Sequence, residues 1–340
     1  MVSERGLEVL RVIVQDYVAS REPVGSKSIV ERHSFGVSAA TIRNDMALLE
    51  DEELIIAPHT SSGRVPTDKG YRVFVDQLAD LRPLTPAQRQ AIEAFLGESA
   101  DLDDVLMRTV RLLSQLTHQV ALVQYPPRAV SKIRHVELVQ LSSTRLMTVL
   151  ITDSGGVEQR LIDISTELDA EFLMELRSRL NIALGGLNLA DAAARLTELP
   201  PQFAPARQPV VAAVVSALGE QVRANRHDKL LMGGTANLAR TEDDFSGSIF
   251  PVLEAIEEQV TLLRLFAEME VDLGDVSARI GRENENFGLG ETAVLTSGYS
   301  ASGGSMARLG VLGPIRMDYS NNMTAVRAVA RYLSRLLGED

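Results

Sequence analysis

Two short segments near the start of the chain carry side chains suited to contacting a nucleic acid. Residues 38–45 (SAATIRND) include Arg43 and Asn44. Residues 58–67 (PHTSSGRVPT) form a hydroxyl-rich segment with Arg64 expected at its tip. Asparagine amides match adenine edges, and arginine guanidinium groups match guanine edges or phosphates. A small polar loop with one arginine also suits phosphate or minor-groove contacts. The leading candidate partner is therefore double-stranded DNA.

Local periodicity predicts the elements that would hold these segments. Apolar spacing predicts helices over residues 4–20, 27–33 and 39–51. Two short apolar runs predict strands on either side of a loop at residues 58–64, and a further helix is expected from 68 to 81. Three helices followed by a two-stranded ribbon are typical of a winged helix-turn-helix module.

The predicted third helix has two faces at 100° per residue. Its buried side carries the apolar residues Ile42, Met46 and Leu49. Its opposite side carries the small or polar residues Ala40, Asn44 and Ala47, with Arg43 on the flank. This periodicity also fits an ordinary core helix, but a small polar outward face suits a major groove, and the Arg43–Asn44 pair favours DNA.

The predicted DNA-contacting residues are polar or basic, and they lie between residues 27 and 72. Ser38 and Thr41 are expected on the DNA backbone, and Arg64 is expected to anchor the wing. Lys69 and Arg72 fit phosphate contacts and solvated surface charges equally well. The full predicted set is Lys27, Ser38, Thr41, Arg43, Asn44, His59, Ser62, Arg64, Lys69 and Arg72.

The overall composition limits the kind of nucleic-acid binding. The net charge is −12, and residues 1–80 hold nine Lys or Arg against thirteen Asp or Glu, which gives −4. Such a protein should bind random DNA weakly and depend on base contacts and on dimerisation. The chain has no Cys, which fits a reducing cytoplasm, and we see neither a signal peptide nor an apolar run long enough for a membrane span.

Catalytic interpretations find little support in the residue pattern. The five His are scattered at positions 33, 59, 118, 135 and 227, without paired spacing for zinc. Neither a phosphate-binding glycine loop nor a nucleophile elbow is present. Asp243 and Asp244 are interpreted as a surface pair. We therefore expect no enzyme, metal or cofactor, and an enzyme fused to a DNA-binding head is only the third interpretation.

The rest of the chain predicts an α+β domain with an insertion. Helices are expected before residue 119, strands between 120 and 164, mostly helices from about 188 to 270, and strands again after 276. The resulting boundaries are 1–81 for the DNA-binding domain, 82–119 for a helical linker, 120–194 with 271–340 for the α+β domain, and 195–270 for the insertion, where we expect the dimer interface.

Three segments together resemble the HrcA family of heat-inducible repressors. The first is EPVGSK at residues 22–27. The second combines residues 38–46 with the wing segment 58–72. The third combines IGREN at 280–284 with GVLGPIRMDY at 310–319. The segments occur in the family's order and include both ends of the chain.

This resemblance implies an architecture and a regulatory role. The expected fold is a winged helix, a GAF-like α+β domain and an inserted, mainly helical dimerisation domain. The implied function is repression of chaperone operons by a homodimer bound to an inverted repeat, the CIRCE element, with the chaperonin keeping the repressor active. A metabolite-responsive winged-helix regulator is the alternative, because GAF-like domains often hold small ligands.

Two positions depart from the family pattern. Glu53 stands where the family usually has Gly, and Ile315 stands where it usually has Thr. If the backbone at position 53 is left-handed, Glu should cost about 1 kcal/mol relative to Gly.

Overall fold

The structure is a computed structural model that describes residues 2–59, 63–78, 85–97, 101–126, 132–153, 155–164, 169–226, 229–245, 249–270, 272–301 and 305–338. The helices are α1 (Glu4–Ser20), α2 (Ser26–Arg32), α3 (Ala39–Asp51), α4 (Asp68–Asp76), α5 (Pro86–Gly97), α6 (Leu102–Thr117), α7 (Ala170–Leu184), α8 (Leu189–Leu196), α9 (Gln208–Arg226), α10 (Ala236–Arg240), α11 (Phe250–Glu257), α12 (Gln259–Glu268) and α13 (Tyr319–Gly338). The strands are β1 (Ile55–Ile56), β2 (Val65–Pro66), β3 (Val120–Gln124), β4 (Ile133–Ser142), β5 (Arg145–Thr152), β6 (Val157–Asp163), β7 (Leu230–Gly233), β8 (Ser277–Ile280), β9 (Thr292–Ala301) and β10 (Ser305–Pro314). The protein is therefore of mixed α+β class.

The first four helices and the β1–β2 ribbon form the amino-terminal module. Ser3 caps α1 by accepting a hydrogen bond from the amide of Gly6 at 3.1 Å. The apolar stripe of α1, which includes Leu10 and Ile13, is fully buried. β1 and β2 pair antiparallel, with Ile56 opposite Val65. The expected extension of α4 to residue 81 ends outside the described residues.

The longer strands form two separate sheets, where the sequence predicted one interrupted sheet. Five strands pair in the order β7-β3-β10-β9-β8, and three pair in the order β4-β5-β6. β3 pairs antiparallel with both β10 and β7, and Gln124 lies opposite Leu230. Strands distant in the chain therefore meet in the larger sheet, whereas the smaller sheet is a local meander.

The chain divides into two compact units. The first comprises Met1–Gln124, Leu230–Tyr299 and Arg308–Leu336, and the second comprises Tyr125–Lys229, Ser300–Ala307 and Leu337–Asp340. In the first unit, one apolar core joins the larger sheet to α10–α12.

The second unit has its own apolar core. Because of this core, the two units divide the chain at other residues than the domain boundaries expected from the sequence. One face of the β4–β6 sheet packs against α7, α8 and α9 through residues such as Leu150, Leu180 and Val214. These strands therefore belong with the helices that follow them, and the long central segment is 125–229, where the sequence predicted an insertion at 195–270.

Two further features follow from the described part of the chain. Its helices include none long and apolar enough to cross a membrane. The same residues offer no group of three or more His, Asp or Glu side chains that could hold a metal ion.

Candidate nucleic-acid interface

Helix α3 begins at a serine cap. Ser38 Oγ accepts a hydrogen bond from the Thr41 amide at 3.2 Å and lies 3.0 Å from Thr41 Oγ1. This cap satisfies one of the free amides of the first turn. Both residues were predicted to contact the DNA backbone, and here they also determine where α3 starts.

The inner face of α3 contains the three apolar residues that helical periodicity predicted there. It also contains Asp45, which periodicity did not predict. Ile42, Met46 and Leu49 are buried. Asp45 is also buried, and both its oxygens accept hydrogen bonds from Arg5, from Nε at 2.7 Å and from Nη2 at 3.0 Å. The bidentate pair ties α3 to α1 and raises the pKa of Arg5 through its hydrogen bond with Asp45.

The outward face of α3 comprises the exposed residues Ala40, Arg43, Asn44, Ala47 and Leu48. Among the described residues, no side chain pairs with Arg43 or Asn44. Leu48, which the sequence analysis did not select, is 57% exposed. The face thus combines one guanidinium, one amide and small or apolar groups. These groups can contact base edges and thymine methyls in a major groove.

Helix α3 ends in a left-handed residue that is not glycine. Glu53 has φ +60°, and its amide bonds the Glu50 carbonyl at 2.9 Å. The Leu54 amide bonds the Leu49 carbonyl at 2.9 Å, which completes a Schellman motif. Position 53 is therefore left-handed, the conformation in which Glu is expected to be about 1 kcal/mol less stable than Gly.

Replacing Glu53 with glycine is expected to slow amide exchange in α3 about fivefold, because relief of the left-handed strain stabilises the helix end by about 1 kcal/mol. Hydrogen exchange on the full-length protein measures the effect. The control is Glu52→Gly. Glu52 has φ −84°, which is unstrained, so glycine there relieves no strain and only increases the freedom of the unfolded chain. Slower exchange in both variants would argue against backbone strain at position 53.

The start of α4 caps the end of α3. Lys69 Nζ donates to the Glu52 carbonyl at 2.8 Å, and Thr67 Oγ1 donates to the Glu53 carbonyl at 2.6 Å. A Cβ at Gly70 would lie 2.0 Å from the Leu54 carbonyl oxygen, so only glycine allows this approach. Lys69, predicted as a possible phosphate contact, thus has a structural partner within the module.

Arg64 lies at the base of the wing, whereas the sequence placed it at the tip. Its backbone exchanges two hydrogen bonds of 2.9 Å with Val24, and a Cβ at Gly63 would come within 2.6 Å of Val24. The Arg64 side chain contacts Glu50 Oε2 through Nε and Nη2, each at 2.9 Å. The guanidinium is therefore held beside the end of α3.

The remaining predicted residues do not form one cluster with the outward face. Lys27 is exposed on α2, and His59 is exposed beyond β1. Ser62 lies outside the described residues. Arg72 donates to the Ala278 carbonyl at 2.8 Å and pairs with Asp76 at 3.1 Å. Arg72 therefore links α4 to β8.

Comparison with known proteins identifies the family. The family model described as "HrcA protein C terminal domain" matches residues 103–323. A heat-inducible transcription repressor HrcA from Clavibacter michiganensis subsp. michiganensis (strain NCPPB 382) is 72% identical, and all of each chain is covered. This chain belongs to the HrcA family.

A second relative agrees with membership of the HrcA family, and a solved structure shares the fold. The HrcA of Leifsonia xyli subsp. xyli (strain CTCB07) is 68% identical over the whole of both chains. A crystal structure of a hypothetical protein is 26% identical, with a TM-score of 0.67 and 98% of each chain covered. As an HrcA, the protein is a heat-inducible transcription repressor and not an enzyme.

Proposed function

We propose that this HrcA represses chaperone operons as a homodimer bound to an inverted repeat of the CIRCE type. In this proposal the amino-terminal module is a winged helix-turn-helix and the larger sheet belongs to a GAF-like domain. The central segment, 125–229, carries the dimer contact. The chaperonin keeps the repressor active, and the protein acts in the cytoplasm.

The observation that carries the proposal is the outward face of α3. A capped helix with exposed Arg43 and Asn44, followed by a two-stranded ribbon, has the layout with which winged helix-turn-helix proteins contact the major groove. The caps at both ends and the Arg5–Asp45 pair fix the helix within its module. Rigid support of this kind lets a few base contacts discriminate between sequences.

The acidic residues at the end of α3 fit weak binding to random DNA. Residues 50–53 carry four carboxylates, and Glu50 pairs with Arg64. A DNA phosphate near Arg64 would therefore have to compete with the Glu50 carboxylate for the Arg64 guanidinium. Electrostatic attraction alone gives little affinity in such a module, so base contacts and two coupled half-sites supply most of it.

One face of the β4–β6 sheet, which no other described element is seen to cover, carries exposed apolar residues and supports the homodimer. The face of β4–β6 opposite the helices carries six apolar residues, Val139, Met147, Val149, Ile151, Val157 and Leu161, together with the polar residues His135, Glu137, Arg145, Gln159 and Asp163. Met147 lies between Val139 and Leu161 in the register, and Leu161 is 57% exposed. Monomers rarely expose contiguous apolar patches of this kind. A second copy of the chain is the occupant that an inverted repeat requires.

Footprinting on the promoter of a chaperonin operon tests the proposal. The wild-type protein is expected to protect both halves of an inverted repeat and to bind it about 10³-fold more tightly than scrambled DNA. Added chaperonin should increase the fraction of active repressor. Equal binding to scrambled and native sequence would overturn the DNA assignment, whereas a footprint unaffected by chaperonin would remove only the chaperonin from the proposal.

A further inference from the structure

A buried ion pair connects the loop that follows β10 to the short helical turn Glu242–Asp244, and both of its residues also bond to the end of α1. Arg316 Nε donates to Asp244 Oδ1 at 2.8 Å, and the side chains are 12% and 4% exposed, respectively. From the sequence, Asp244 is expected at the surface. The burial of the Asp244 carboxylate is therefore unexpected. Its partner Arg316 lies in the segment GVLGPIRMDY, residues 310–319, to which the sequence assigned no individual roles.

Arg316 contacts α1 at the same time. Its Nη1 donates to the carbonyl oxygen of Val18 at 2.7 Å. Val18 lies in the last turn of α1, where carbonyl groups lack partners within the helix and carry partial negative charge. One planar guanidinium thus bonds a helix end in the module and a carboxylate outside it.

A second arginine completes this arrangement from the module side. Arg21, the left-handed residue that ends α1, donates from Nη2 to Asp244 Oδ2 at 3.2 Å. Each oxygen of the Asp244 carboxylate therefore accepts from a different arginine, one inside the module and one outside it. We call the set Arg21, Asp244 and Arg316 the arginine joint.

Aromatic packing lies beside the start of α13. The Tyr319 ring lies 5.7 Å from the Tyr71 ring and 6.5 Å from the Phe74 ring, both on α4. These buried rings supply contact area between α4 and α13, whereas hydrogen bonds add a dependence on direction. Hydrogen bonds from a buried guanidinium have a narrow range of distance and angle. On the α4 side, Arg72 bonds the Ala278 carbonyl at 2.8 Å and Asp68 accepts from the Arg282 amide at 3.1 Å. The arginine joint supplies the corresponding directional contact on the α1 side, and the angle between the module and the larger sheet requires both.

We propose that Arg316 is a positioning residue that fixes the orientation of the amino-terminal module, and through it the half-site spacing that the dimer accepts. Arg316 needs no contact with DNA for this role. Loss of the joint lets the module swing, so a dimer would accept several spacings and bind each with similar affinity. The spacing part of this inference rests on the proposed function, whereas the orientation part does not.

The test measures orientation without DNA. The chain has no Cys, so cysteines introduced at exposed Glu31 and Arg331 would carry the only two spin labels of each chain. Mixing labelled protein with an excess of unlabelled protein keeps distances between two copies out of the measurement. Pulsed dipolar spectroscopy on the full-length protein is expected to give one narrow distance distribution in the parent and a distribution at least twice as wide in Arg316→Met. Arg316→Lys should be intermediate, because its single ammonium cannot hold Val18 and Asp244 with a planar fork.

A double variant distinguishes the loss of the arginine joint from misfolding of the protein. Arg316→Met leaves a buried carboxylate short of one partner, whereas Arg316→Met with Asp244→Leu removes both charges and can pack as an apolar pair. The double variant is expected to melt close to the parent and still show the wide distribution. A folded double variant with the narrow parental distribution would overturn the inference.

DNA binding then separates the two proposals. On duplexes whose half-sites are moved apart one base pair at a time, the parent should lose at least tenfold in affinity within two steps, and the double variant less than threefold. If labels report a loosened module but no protein prefers an inverted repeat, the proposed function fails and the positioning role stands. If the repeat is bound and the double variant keeps the parental spacing profile, the spacing role of Arg316 fails.

Discussion

Met147→Asp is expected to convert the proposed dimer to monomers at micromolar concentration and to weaken operator binding by about 10²–10⁴-fold. Met147 lies in the middle of the uncovered face, with Val139 and Leu161 as its cross-strand neighbours. In a dimer it would be buried against the partner, and an unpaired carboxylate there carries a large desolvation cost. A monomer brings only one amino-terminal module to the operator, so it loses the gain in affinity from two linked half-sites, which is about 10²–10⁴-fold.

Sedimentation velocity and operator titration measure the two effects. Ile182→Asp is the matched control, because Ile182 is 82% exposed on α7 in the same unit but away from the β4–β6 face. Leu161→Asp provides a second disruption at a more exposed site, where folding of the monomer is less at risk. A dimer that survives both changes on the sheet face would mean that the interface lies elsewhere.

Asn44→Ala and Arg64→Ala are expected to weaken operator binding in different ways. Removing the exposed Asn44 amide should cost about 1–3 kcal/mol on the native site and relax the preference at one base position, with the salt dependence unchanged. Removing the Arg64 guanidinium should weaken binding to all sequences and reduce the salt slope by about 0.9 for each module.

Titrations at several salt concentrations, on native and singly substituted operators, distinguish the two variants. Gln15→Ala removes an exposed amide from α1 and should change neither quantity. Glu50→Gln leaves Arg64 in place but removes the carboxylate that holds it, and is expected to raise affinity for all DNA. An Asn44→Ala protein that keeps its full base preference would move base recognition to another residue.

Local patterns predicted the amino-terminal module well. The positions of Ile42, Met46 and Leu49 on the buried face of α3 follow from helical geometry alone, and so does the outward position of Asn44. The serine cap at Ser38 is equally local. Roles that depend on a distant partner could not be predicted in this way. Asp45 is buried because Arg5, 40 residues away, pairs with it.

Long-range pairing also explains the error in the sheet arrangement and the unexpected burial of Asp244. A strand's apolar pattern indicates that it is paired but not with which strand, so β3 and β4 could not be assigned to different sheets. Asp244 has an acidic neighbour, which favours a surface position, and only the fold brings Arg316 to it. Arg64 was expected at the tip of a loop, and its position beside β2 depends on pairing with Val24, 40 residues earlier in the chain.

The register of β3 and β7 explains how the central segment is attached without disturbing its host. Gln124 and Leu230 face each other on adjacent antiparallel strands, and the chain leaves the sheet at one and returns at the other. Topologically the whole of 125–229 replaces a hairpin turn. A segment inserted at this point leaves the backbone hydrogen bonds of β3 and β7 with the same partners. If the central segment carries the proposed dimer contact, one insertion at this point adds it while every strand pairing of β3 is kept.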